Sequence, residues 1–330
     1  MSRLRTWWAA ARGTLLLLVA FALVPAVTNN AYYLDTLVFI LLWAAMGCCW
    51  NLAGGYGGLV SLGHAVFFGV GAYTSTLLYL RLGWSPWLGV IAGMALSACL
   101  ALGIGLVSLR LRGPFFSLVT LAFAEVAGIV ATNWRGLTKG AEGLSIPFQP
   151  GFGNMIFADK TPYVVLALAL LVTTYGICLA VERSPLGYYL LAVREDEDAA
   201  RAVGVRAVRT KIVAFALSAA LMAACGTVFA QYVLYIDPAS IFSFDLSVQV
   251  VLLTVVGGAG RAGGPILGAL LLTPLAQTLR VWLGRTAPGL HLVVYGVLLI
   301  VIVLRLPQGL GPAVASWRSA WRRRPARVGA

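Results

Sequence analysis

Apolar runs about as long as a bilayer is thick recur along almost the whole chain, and no other feature restricts the fold as much. They fall near residues 14–29, 35–54, 58–80, 86–109, 114–133, 162–181, 211–235, 245–259, 265–283 and 289–305. A helix crossing the hydrocarbon core needs roughly 20 such residues. Of 330 residues, 60% are hydrophobic and 11% charged, with mean hydropathy +0.90. Soluble domains run about 45–50% apolar and about 25% charged, so water cannot be the solvent for this surface. The expected fold is all-α: a polytopic integral membrane helix bundle of about ten spans, with residues 1–330 forming one transmembrane domain. The run over 245–259 is short and ends in glycine. It predicts a broken or re-entrant segment, which is tolerated at membrane depth only where protein covers it.

The net charge of +13 raises nucleic acid as a partner, but the cations sit at the ends of apolar runs, the pattern of membrane orientation. With the N-terminus cytoplasmic, 18 of the 24 Lys and Arg fall on the inner side and 6 on the outer side. That bias favours an even number of spans and cytoplasmic N- and C-termini. It also places the loop 134–161 outside and the loop 182–210 inside. The first run lacks an A-x-A cleavage site and is followed at once by further spans, so it reads as a retained helix. The tail "SWRSAWRRRPAR" reads as an anchor on anionic lipid. Cys48, Cys49, Cys99, Cys178 and Cys225 lie in apolar segments without a C-x-x-C pair and read as buried thiols. With two His in the chain, no metal site is expected.

The inner loop carries the densest charge. In "VERSPLGYYLLAVREDEDAARAVG", Ser184 suits an N-cap, Pro185 the first helical position and Gly204 a left-handed stop. The spacing predicts one helix of about five turns, with Arg194–Asp198 and Glu197–Arg201 paired at i,i+4. Four successive acids, Glu195 to Asp198, would cover most of its circumference. On periodicity alone this is a solvated helix.

A loop of the form Glu-x-Ala-Ala-x-x-x-Gly between spans resembles the signature of ABC importer permeases, here Glu197, Ala199, Ala200 and Gly204. The stretches "GGYGGLVSLGHAVFFGVGAYTSTLL" (54–78), "LRLRGPFFSLVTLAFAEV" (109–126), "SPLGYYLLAVREDEDAARAVGV" (184–205), "VVGGAGRAGGPILGALLL" (255–272) and "LIVIVLRLPQGL" (299–310) extend the likeness over nearly the whole chain, in order. Together they are similar to the LivM-type permeases of branched-chain amino-acid ABC importers. Urea and short-amide importers use a closely similar permease. The resemblance implies a bacterial inner-membrane subunit forming half of a translocation pathway. Its implied partners are a homologous second permease of the LivH type, two cytoplasmic ATPase subunits and an extracytoplasmic substrate-binding protein. Leucine, isoleucine or valine would be the cargo. The implied role of Glu197, Ala199, Ala200 and Gly204 is to dock in a groove of the ATPase, which would use the ATP. This chain would bind no cofactor and would not be an enzyme. It has no G-x-x-x-x-G-K-[ST] phosphate loop. In "LTKGAEGLS", Lys139 stands where the resemblance leads one to expect a second glycine.

The remaining signals are weaker. Gly258, Gly260 and Gly263 match G-x-G-x-x-G, but no acidic residue follows Asp245, so a dinucleotide site is set aside. Gly260, Gly264 and Gly268, Gly54 and Gly58, and Gly89 and Gly93 are spaced four apart, the small-xxx-small pattern of close helix packing. Glu125 lies deep in its expected span, where ionisable groups face the bundle interior and often mark a pathway. Ser61 and His64, at i,i+3 on one expected helix face, and Thr120 are further candidates for the path, with packing roles as the alternative. Two other classes of function remain open at this point: a carrier or channel driven by an ion gradient through Glu125, and an intramembrane enzyme using His64 and Glu125. No acid near His64 would orient it as a base.

Overall fold

The computed structural model describes residues 17–25, 30–109, 113–283, 289–305 and 309–310. It is a helix bundle with one two-residue strand pair. Residues 17–25 are helical, and the rest of the expected first span lies outside the described residues, as does the basic tail. Next come α1 (Ala31–Trp50), α2 (His64–Leu82), α3 (Pro86–Ser108), α4 (Pro114–Asn133) and α5 (Thr161–Arg183). Two short helices follow, α6 (Pro185–Glu195) and α7 (Glu197–Ala202), and then α8 (Ala207–Val233), α9 (Phe244–Gly257), α10 (Gly264–Leu283) and α11 (Leu290–Arg305). Among the described residues, eight helices are long and apolar enough to cross a membrane, and Val293–Ile302 is a shorter apolar one.

Local chemistry sets many of the boundaries. The Asn30 side chain accepts a hydrogen bond from Tyr32 N at the start of α1. Pro86 and Pro114 open α3 and α4, where a missing N–H costs nothing. Gly83 closes α2 in the left-handed conformation, φ 66°. The short helix Pro238–Ile241, capped by Asp237, leads into the 14-residue α9.

The centre of the bundle is built from α1, α2 and α8. Glycines allow their backbones to meet: a Cβ on Gly71 would lie 2.0 Å from Ala223 O, and one on Gly226 2.0 Å from Phe68 O. Phe67, Phe116 and Phe215 pack edge to face around that seam, with centroids 5.3 and 5.7 Å apart. Gly89 and Gly93 of α3 rest on Ser75 and Gly71 of α2.

Three expectations are corrected. The span expected over 58–80 begins only at His64, because Gly58 turns left-handed (φ 66°) and 58–63 forms a loop. Side chains of α4 satisfy that loop's backbone: Thr120 Oγ1 accepts from Leu62 N at 3.1 Å, and Ser117 Oγ donates to Val60 O at 2.5 Å. Ser61 therefore lies in a loop, off the helix that carries His64. The single helix expected through the inner loop is two helices, broken at Asp196. Finally, Cys99 is exposed on the outer face of α3, while the other four cysteines are buried.

Candidate functional site

The chain 182–207 protrudes as an elbow at the end of the bundle opposite the loop 134–160, with the 23-residue α5 between them. Ser184 begins α6: its Oγ accepts from Gly187 N at 3.4 Å and donates to Val181 O at 2.8 Å. Asp196 makes the bend. Its backbone is extended (φ −154°, ψ 110°), and Oδ1 accepts from Asp198 N and Ala199 N, each at 3.0 Å. An aspartate that caps a new helix cannot also sit inside the old one, which is why the charged run splits. Glu197 and Asp198 then occupy the first turn of α7, where the helix dipole favours negative charge.

Gly204, at φ 91°, ends α7 in the left-handed conformation. Its N–H donates to Arg201 O and that of Val205 to Ala200 O, both at 3.0 Å. This paired closure is completed by contact between the side chains of Ala200 and Val205, which join Val193 and Ala207 in a small apolar cluster.

The four signature residues thus divide. Glu197 is an internal strut: its carboxylate, 15% exposed, receives Lys211 Nζ from the first turns of α8 and Arg201 Nη2 from α7, each at 2.5 Å. Ala200 is buried on the inner face of α7, while Ala199 and Gly204 are exposed. The outward surface further includes Tyr188, Leu191, Glu195, Asp198 and Val203, the last 81% exposed. Of the two expected i,i+4 pairs, Glu197–Arg201 forms. Arg194 turns back to the bundle and donates from Nη1 to Gly55 O at 2.7 Å.

The elbow rests on two glycine-rich turns. One ends α1 as a π-helical turn, Asn51–Tyr56. The other joins α9 to α10. Asn51 bridges them, accepting from Gly260 N at 2.8 Å and donating to Arg261 O at 3.0 Å. A Cβ on Gly55 would lie 2.6 Å from Gly260 N. Tyr56 OH donates to Glu182 Oε2 at 3.3 Å. The glycine spacing has mixed meaning here. Gly257, Gly264 and Gly268 bring α9 and α10 together, with a Cβ on Gly268 meeting Leu253 O at 1.8 Å. Gly260 instead lies in the turn, at φ 80°. Gly54 packs on the Trp50 ring of its own helix and Gly58 lies beyond the helix end, so that pair is no helix-packing face.

The candidates for the path also separate. Ser61, His64 and Thr120 are buried inside this chain. Ser218 Oγ donates to Cys49 O at 2.5 Å, so it receives its other bond, at 2.8 Å, from His64 Nε2–H. Ser61 O accepts from Trp50 Nε1 at 2.8 Å, and Ser61 Oγ from Gly63 N at 3.3 Å. These groups hold the 58–63 loop in place. Glu125 alone reaches an outer face, near the middle of α4 beside exposed Phe123, Val126 and Ile129. The expectation that it faces this chain's interior is thereby corrected. Among the described residues, no group of His, Cys, Asp and Glu could hold a metal ion.

The described residues form a multi-pass membrane helix bundle with an elbow of two short capped helices and with Glu125 on an exposed face of α4. Residues 32–303 match the family described as branched-chain amino acid transport system / permease component, and the chain belongs to that family. It is 31% identical over 322 residues to the high-affinity branched-chain amino acid transport system permease protein LivM of Escherichia coli (strain K12), covering 90% of this chain and 73% of that one. The Salmonella typhimurium protein of the same name is 30% identical over 320 residues with the same coverage. The probable branched-chain amino acid transport permease protein LivM of Methanocaldococcus jannaschii is 24% identical over 330 residues, covering 84% and 94%.

Proposed function

We propose that this chain is the LivM-type half of the translocation pathway of an ATP-driven importer of leucine, isoleucine and valine in the bacterial inner membrane. The elbow 185–204 is its cytoplasmic docking element. One observation carries the assignment: α7 is closed at both ends, by Asp196 and Gly204, and projects exposed Ala199 and Val203 from a base tied to the bundle by Glu197 and Lys211. Such a piece is stiff, and a partner can push on it. The partner is an ATPase subunit, one of two, which binds and hydrolyses the ATP; this subunit carries no nucleotide. An extracytoplasmic binding protein delivers the amino acid at the 134–160 end.

Glu125 supports the assembly. An ionised carboxylate in mid-span costs several kcal/mol against lipid. The exposed face of α4 therefore meets the homologous second permease, with Glu125 lining the path between the two halves, where it can meet the ammonium group of an amino acid. Ser61, His64 and Thr120 act behind that surface as supports.

The test is to co-express the chain with its companions, purify it and measure leucine uptake with ATP. Gly204→Val leaves open space around the new side chain but forces a β-branched residue to φ 91°, a conformation that costs an ordinary residue about 1–2 kcal/mol. The expected result is loss of the bound ATPase and at least a tenfold fall in uptake, with the spans still inserted. Unchanged uptake would remove the docking assignment. Uptake by this chain alone, blocked by an uncoupler and indifferent to ATP, would replace it with a gradient-driven carrier. ATP turnover stimulated by urea or short amides and not by leucine would move the cargo assignment.

A further inference from the structure

We infer that Arg194 is the positioning residue through which movement of the elbow reaches the two glycine-rich turns at the inner end of the bundle; this rests on the docking role proposed above. The side chain leaves the last turn of α6 and runs back under the bundle. Its stem passes Gly58, where a Cβ would lie 3.1 Å from Arg194 Cγ. Its guanidinium ends in the part-buried hydrogen bond to Gly55 O. The same Nη1 abuts the second turn, where a Cβ on Gly260 would lie 2.8 Å from it and 3.1 Å from Gly55 O. One cation from the elbow therefore touches the end of α1 and the α9–α10 turn together, at the place where Asn51 bridges the two.

Three features make this junction mechanical. First, the α1 end is π-helical, a distortion common at functional sites, and its Gly55 carbonyl accepts from Arg194. Second, Gly55 and Gly260 bring the two turns into close approach, and the Asn51 amide hydrogen-bonds across them, so a small displacement of one is felt by the other. Third, each turn continues directly into spanning helices: the buried α1 at the bundle centre, and α9 and α10 joined by Gly257, Gly264 and Gly268. Arg194 reaches both turns from the elbow, whereas Glu182, at the elbow's root, meets the first turn through Tyr56 OH. A planar guanidinium with its fork of donors suits a contact that must survive movement.

The test uses the whole importer, permease pair, ATPases and binding protein, in proteoliposomes with leucine as the probe. The reading is leucine imported per ATP hydrolysed, alongside retention of the ATPase on purification. Arg194→Gln is expected to keep the ATPase bound and lower leucine per ATP at least fivefold. Arg194→Lys, which keeps a donor and the charge, should recover most of it. Gly260→Ala leaves Arg194 present but pushes a methyl group against Nη1, and should reproduce the Gln phenotype. The double variant Arg194→Gln/Gly260→Ala should be no worse than either alone. Leucine per ATP within twofold of wild type in both single variants would overturn the inference. So would loss of the ATPase in Arg194→Gln, which would make Arg194 a docking contact. A wild-type complex without ATP-dependent uptake would instead break the proposed function, a separate and visible failure. If Arg194→Gln does not insert or does not pair with the second permease, Gly260→Ala alone decides between the two outcomes.

Discussion

The two long loops of this chain are attached in opposite ways. The loop 134–160 is stitched down along its length. Leu144 and Ser145 pair as a strand with Ile236 and Tyr235. Trp87 stacks on Phe152, centroids 5.4 Å apart, and donates from Nε1 to Phe152 O at 2.9 Å. Ser85 Oγ donates to Gly153 O at 2.5 Å, Tyr235 OH to Glu142 O at 3.1 Å, and Arg81 to Gly136 O. Lys160 pairs with Asp35 of α1, which also receives Tyr232 OH of α8. The elbow 185–204 is instead held by burial of Leu190 and Val193, by the Glu197–Lys211 pair and by the Arg194 guanidinium, while Tyr188, Leu191 and Val203 of its outer surface are exposed. A loop anchored at many points moves with the bundle. An elbow stiff in itself and tied at few points can move against it. On the proposed function, the first serves as a platform and the second as a lever.

The strongest way to break that contrast is to loosen the lever from α8. Lys211 is buried, and its bond to Glu197 is charge-assisted, a class worth about 1.5–3 kcal/mol. Lys211→Met keeps most of the volume and leaves Glu197 with Arg201 alone. Uptake by the assembled importer should fall at least tenfold, while thermal unfolding of the spans moves little. A large fall in melting temperature with uptake intact would mean that the elbow is fastened as the outer loop is.

The matching change on the platform is smaller. Trp87→Ala removes the stack on Phe152 and the bond to its carbonyl, together about 1–2 kcal/mol. Protease cleavage within 148–158 should rise and the melting temperature fall, with uptake at saturating binding protein within about twofold of wild type. If uptake collapses and cleavage does not change, the outer loop is a moving part and the platform reading fails.

How legible each region was follows the same division. The spans α3, α4 and α5 could be read directly, because a proline at the start and an unbroken apolar run are local signals. The loop 58–63 could not. Its composition continues the apolar run, and the backbone that Gly58 turns out of the helix is satisfied by Ser117 and Thr120 of α4, far along the chain. The position of the elbow and its glycine stop were legible, but its break was not. Any of four neighbouring acids could have capped, and packing of Val193, Ala200 and Ala207 selects which face turns inward. That selection also made Glu197 a strut where the motif alone suggested a contact. Glu125 was visible as an isolated carboxylate, but the face it occupies depends on how α4 packs. Arg194 offered no signal beyond a misleading i,i+4 partner at Asp198.

Lys139 is the one place where a sequence departure and a backbone feature coincide, and it gives the smallest expected effect. The residue sits where a glycine was expected, and its φ is 58°, one of three non-glycine residues with positive φ among those described. Left-handed backbone costs an ordinary residue about 1–2 kcal/mol, and glycine adopts it freely. Glycine also gives the unfolded chain more freedom, an opposing effect of about 0.4–1 kcal/mol. Lys139→Gly should therefore raise stability by about 1 kcal/mol or less, measured as a small upward shift in melting temperature, with uptake unchanged because the change relaxes a platform already fixed at both ends. A fall in uptake without loss of stability would show that the lysine ammonium itself meets the delivering protein, and the platform would then have a chemical role as well as a mechanical one.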